Sequence, residues 1–172
     1  MNNVLAFHCE EDGAEKEPML YRACGVEGIY LHDGYEIIDE GDYGRSLIVH
    51  DADTLHKIIG LEIALSRPHL SHRDVVFMRG QMEKSQVELA NEIGVSAQMV
   101  ARYEKEDQTD ITGPADRLLR AVYVAHLFPD QQERIMHKII GLYQDEDDTV
   151  PNLVFSRAQA HWAKMGGATE VA

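Results

Sequence analysis

A chain of 172 residues with 44% hydrophobic content can bury a core and has room for one or two small domains. Its formal charge of −14 argues against a general nucleic-acid coat protein, because sequence-independent affinity for phosphates rests on Lys and Arg. The sequence has no run of 18 apolar residues, and its first residues lack the basic start and apolar stretch of a secretory signal, so the expectation is a cytoplasmic protein without a membrane partner.

Residues 1–20 are polar and acidic, with Glu10, Glu11, Asp12, Glu15 and Glu17 ahead of Pro18, and read as a loose arm. From Tyr21 the texture changes. Apolar and β-branched clusters at Ile29 to Leu31, Tyr35 to Ile38 and Leu47 to Val49, punctuated by Asp33-Gly34, Gly41 and Gly44, predict a small antiparallel sheet with its hairpin at Asp33-Gly34. Asp51 then has the chemistry of an N-cap. Leu55, Ile58, Ile59, Ile63 and Leu65 follow at mostly helical spacing up to Arg67-Pro68, with His56 facing solvent. Sheet and linking helix make a first unit over residues 21–68.

A second unit spans residues 69–128. Ser71 caps a helix carrying Val75, Phe77, Met78 and Met82 that ends near Glu83. Ser85 caps the next, placing Val87, Leu89, Ala90 and Ile93 on one face; Gly94 ends it with the positive φ that a sharp turn requires. Val95 plugs the turn, and Ser96 caps a second short helix with Val100 and Tyr103 inward and Ala97, Gln98, Met99 and Arg102 outward. Those four side chains suit base edges: Gln pairs with adenine, Arg forks onto guanine, and Ala or Met touches a thymine methyl. Gln86, Ser96 and Lys105 are placed for phosphate contacts, which set register and not sequence. An apolar stripe, a Gly turn and a capping Ser also occur in helical hairpins that never touch DNA.

After Lys105 a polar loop leads to Pro114 and a helix with Leu118, Leu119, Val122, Tyr123 and Val124, in which Leu118 to Val122 are weighted towards core. Pro129 opens a last helix over residues 129–148, with Ile135, Met136, Ile139, Ile140, Leu142 and Tyr143 as the candidate dimerisation surface. Residues 149–172 read as a tail with one apolar cluster, Val150 to Phe155, and Trp162. The fold class is α+β: a small N-terminal antiparallel β-region, then an all-α helix-turn-helix domain and C-terminal helices.

Gln86, Leu89, Ala90, Gly94, Val95, Ser96, Val100, Tyr103 and Glu104 together resemble the Cro/lambda-repressor (XRE) helix-turn-helix family. That resemblance implies a structural ion pair between Arg79 and Glu104, and a transcriptional regulator, most simply a dimeric repressor on a palindromic operator with half-sites about 34 Å apart. Over residues 21–125 the order of β-region, linking helix and reader is similar to antitoxins of the MqsA type, and Tyr21 to Glu36 resembles the N-terminal part of that group's metal-free relatives. Zinc-bearing members carry paired cysteines. Here only Cys9 and Cys24 are present, so no metal and no cofactor are expected.

From Arg67 to Lys105 six basic residues (Arg67, Arg73, Arg79, Lys84, Arg102, Lys105) face five acidic ones (Asp74, Glu83, Glu88, Glu92, Glu104), a balance of +1 that leaves −15 for the rest. Acidic flanks at Glu10 to Glu17 and Asp39 to Asp42 would suit a basic toxin protein, the partner the antitoxin resemblance implies; a plain solvated surface is the simpler account. A ligand-responsive regulator without a toxin, or a protein-binding module using the N-terminal unit, are the alternatives. His8-Cys9, His50, Asp51 and His56 have no spacing that assembles a catalytic site, so no catalytic residue is assigned.

Overall fold

Two small sheets and five helices make up the part of the chain that the computed structural model describes, residues 17–106, 111, 113–131, 135, 136, 139, 152–158 and 161–165. The class is α+β. In chain order come β1 (Met19–Leu20), β2 (Ile29–Leu31), β3 (Tyr35–Asp39), β4 (Arg45–Val49), α1 (Ala52–Ser66), α2 (His72–Gln81), α3 (Gln86–Ile93), α4 (Ala97–Tyr103), α5 (Gly113–Leu127), β5 (Leu153–Ala158) and β6 (His161–Lys164).

The sheets depart from the sequence reading. Asp33-Gly34 does not close a hairpin: β2 pairs with β1 on one side and runs parallel to β5 on the other, whereas β3 and β4 form a separate two-stranded ribbon turned at residues 40–44. Gly34, at φ +75°, carries the chain from one sheet to the other, and a Cβ there would lie 2.5 Å from the Trp162 ring. The segment expected as a tail supplies β5 and β6, giving the order β1-β2-β5-β6. Leu153, Phe155 and Trp162 are buried, and the Trp162 indole donates to the His50 carbonyl at 2.9 Å. Alternation in LVFSR fits a strand, but a parallel partner on the far side of five helices leaves no local signal.

Helices α2, α3 and α4 begin where their caps predict. Ser71 with Asp74 and Ser85 with Glu88 each form a reciprocal capping box, and the Ser96 hydroxyl accepts from the Met99 amide at 3.2 Å. The Ser85 hydrogen bonds hold the Glu88 carboxyl below the ordinary carboxylate range. Asp51 is a correction: it takes the left-handed conformation at φ 53°, one that Asp tolerates, and its side chain caps nothing. His56 is another, since it is half-buried, stacked on Tyr21 with its Nε2 2.9 Å from the Tyr21 hydroxyl, and it meets the edge of Phe77.

One apolar cluster crosses the boundary near residue 68, joining Ile29, Leu31 and Phe155 of the sheet, Leu55, Ile59 and Ile63 of α1, and Met78, Leu89 and Val100 of the later helices. A second, smaller cluster gathers Leu61, Val124, Ile135 and Ile139. Ile135 and Ile139, read as dimer surface, are therefore buried within the chain, whereas Leu118, weighted towards core, is exposed. Pro129–Gln131, where the expected last helix opens, form a 3-10 turn, and Met136 packs on the second cluster, which holds Ile135 and Ile139; the other residues of 129–148, and the acidic arm up to residue 16, lie outside the described residues.

Three polar ties invisible in the hydrophobic pattern fix α1 against its neighbours. Buried Arg120 pairs with Asp116 one turn away and donates to the Ile63 and Ala64 carbonyls at the end of α1, while Asp116 accepts from the Leu70 amide. Buried Arg67 pairs with Asp74 and donates to the Glu27 carbonyl. Lys164 on β6 meets Glu62 at 3.1 Å.

Close crossing of α1 and α5 requires Gly60, where an added Cβ would lie 2.0 Å from the Tyr123 hydroxyl, itself donating to the Lys57 carbonyl. Gly60→Ala is expected to lower stability by about 1–3 kcal/mol through overpacking, read as a lower denaturant midpoint; an unchanged midpoint would show that Tyr123 moves freely. Burial holds His56 below its ordinary pKa of 6.5. Its neutral form stabilises the fold above the unfolded-state value, and that contribution is lost as pH falls through the folded value. The urea midpoint should fall below about pH 6.5, and His56→Gln should remove part of that slope.

Candidate nucleic-acid interface

Helices α3 and α4 meet at the Gly94-Val95-Ser96 turn. Gly94 is left-handed at φ +71° with its amide bonded to the Ala90 carbonyl, and a Cβ there would meet nothing within 4 Å. The need for glycine is thus purely conformational, worth about 1–2 kcal/mol against an L side chain. Leu89, Ala90, Ile93 and Val100 are buried where the helices cross. Val87, expected on the same inward face, is 57% exposed instead; it stands in the first turn, beyond the crossing.

Arg79 near the end of α2 and Glu104 at the C-cap of α4 form the expected pair, with Nε to Oε1 at 2.5 Å and Nη2 to Oε2 at 3.1 Å. Arg79 also donates to the Lys84 carbonyl at 2.8 Å, and Gln86 donates through its amide to Glu104 at 2.7 Å. One carboxylate therefore holds the end of α2, the start of α3 and the end of α4. Gln86, read as a phosphate contact, is already committed to this clamp through its side chain.

The remaining predicted residues divide by exposure. Gln98, Arg102, Ser96 and Lys105 are exposed, Met99 is half-buried, and Ala97 is half-buried against the core. The Arg102 guanidinium lies 4.0 Å from the Met99 sulfur, one turn back on the same helix face. Gln98, Met99 and Arg102 thus share one outer surface with Ser96 and Lys105 at its ends, and Ala97 stands partly behind it. Elsewhere Lys84 pairs with Glu92 at 2.7 Å and Arg73 with Glu27 at 3.1 Å, so these cations are balanced locally.

Other polar groups stay dispersed. His50 meets Glu36 at 3.1 Å and His32 lies 3.8 Å from Asp33, but among the described residues no group of three or more His, Cys, Asp or Glu side chains is arranged to hold a metal ion. Burial raises the half-buried Cys24 thiol, which makes it less reactive, and Cys9 lies outside the described residues. Among the described residues no helix is long and apolar enough to cross a membrane.

Arg79→Ala should destabilise the helical half by about 3 kcal/mol, because it strands a mostly buried carboxylate. A double-mutant cycle with Glu104→Gln should show strong coupling; additive losses would mean that the two side chains act independently. No family model matches the chain, and neither a curated protein nor a solved structure matches it.

Proposed function

We propose that the protein is a sequence-specific DNA-binding transcriptional regulator that represses its own operon as a dimer in the cytoplasm. The observation that carries this reading is the outer face of α4: Gln98, Met99 and Arg102 project together from a short helix whose end is clamped by Arg79, Gln86 and Glu104. A helix seven residues long, held this firmly, fits the major groove of B-DNA. Gln98 reads adenine and Arg102 guanine; Met99 packs on a thymine methyl, and Ala97, set back, lets the backbone approach. Ser96 and Lys105 hold flanking phosphates. The low net charge of the reader segment keeps binding to random DNA weak and leaves discrimination to the bases.

Exposed acidic residues at Asp39, Glu40 and Asp42 support an extension of this reading, in which the regulator is also the antitoxin of a basic toxin protein encoded beside it.

Titration of the protein against DNA upstream of its own gene and against a scrambled duplex, at two salt concentrations, tests the proposal. Arg102→Ala and Gln98→Ala should each cost about 1–3 kcal/mol on the specific site and little on the scrambled one. Lys105→Ala should weaken both and reduce the salt slope by about one unit. Equal weakening of both duplexes by Arg102→Ala, or no preference in the parent protein, would overturn the base-reading role.

A further inference from the structure

The β3–β4 ribbon is poorly covered for its composition. Ile37, Ile38, Leu47 and Ile48 are each about two-fifths exposed and Tyr43 at the turn is 93% exposed, so apolar side chains stand on both faces of a two-stranded element. Such a hairpin is marginal in water. No strand among the described residues pairs with either outer edge.

The hydrogen-bond phase identifies what those edges offer. Glu40 donates to the Gly44 carbonyl and His50 to the Gly34 carbonyl, so the even-numbered residues of β4 bond inward in the register Ile37↔Leu47 and Ile38↔Ser46. The amides and carbonyls of Arg45, Leu47 and Val49 therefore point outward. Charge separates the two edges: β3 carries Glu36 and Asp39, while β4, RSLIV, carries no carboxylate and has neither Pro nor Lys to block pairing.

We propose that β4 pairs antiparallel with β4 of a second copy of this chain, about a two-fold axis at Leu47, to give a four-stranded sheet. In that register Leu47 faces the partner's Leu47 and Arg45 faces the partner's Val49, all with outward backbone groups. One face then carries an unbroken apolar row: Ile37, Leu47, the partner's Leu47 and the partner's Ile37. Pairing through the β3 edge would bring Glu36 and Asp39 of both copies, four carboxylates, into one contact, whereas the β4 edge brings only the two Arg45 side chains, each opposite a Val49. The contact is small, so the dimer is a weak one that dissociates on dilution in the absence of DNA. This inference names the interface of the dimer proposed above.

Sedimentation of the full chain without DNA over a wide concentration range should show a reversible monomer–dimer equilibrium, and Leu47→Lys should weaken it at least about tenfold, by placing two ammonium groups opposite each other at the axis. Directly opposite hydrogen-bonded residues have Cα atoms about 5.5 Å apart, within disulfide reach. Oxidised Leu47→Cys should therefore form a covalent dimer above the background of Cys9 and Cys24, and Ile37→Cys should not. A chain that stays monomeric, a dimer insensitive to Leu47→Lys, or cross-linking through Ile37→Cys in place of Leu47→Cys would overturn the assignment, as would a monomer that seats a different protein on this edge. DNA preference in a monomeric protein would leave the reader intact and sink only the interface.

Discussion

The burial of Arg120 is the constraint on which the architecture turns. Its guanidinium is fully buried, paired with Asp116 and bonded to the last carbonyls of α1, and Asp116 in turn holds the Leu70 amide. A charge in that position is tolerated only while every one of these partners stays in place, so α5, the end of α1 and the segment leading to α2 are locked together. Arg67 repeats the device one turn further on, tying the β1–β2 connection through Glu27 to the capping box of α2. Apolar packing alone would permit α1 to slide or rotate against its neighbours; directional bonds from two guanidinium groups do not.

The helices of the reader were largely legible because their signals are local. Ser71, Ser85 and Ser96 cap the amides three residues on, and Gly94 alone among nearby residues takes a left-handed turn without strain. The sheets were not, for reasons that differ by residue. Asp33-Gly34 has the composition of a hairpin turn, yet its Gly serves a crossing between sheets beneath Trp162. Asp51 has the chemistry of a cap, but its backbone is left-handed and its side chain makes no cap hydrogen bond. Leu153 to Ala158 reads as an isolated apolar patch because its partner is a strand more than a hundred residues earlier.

At the candidate site, residue identity was readable and commitment was not. Gln86 carries an amide at the start of a helix, which suits a phosphate, and nothing in the sequence says that Glu104 has already engaged it. Ala97 and Gln98 are adjacent, yet one packs partly on the core and the other is exposed, a distinction that depends on what lies beside the first turn of α4. The Arg79–Glu104 pair was anticipated only through resemblance, since a separation of twenty-five residues has no periodic signature.

The parallel pairing of β2 with β5 also sets an order of assembly. Local contacts among α2, α3 and α4 close short loops and can form early, whereas Ile29 finds Leu153 only after the whole helical body lies between them. Without β5, β2 would be paired on one edge only, by the two residues of β1, and its other edge would be open. Among the described residues the β2–β5 pairing therefore carries one of the largest loop-closure costs, and the helices between the two strands lower that cost when they bring the ends together.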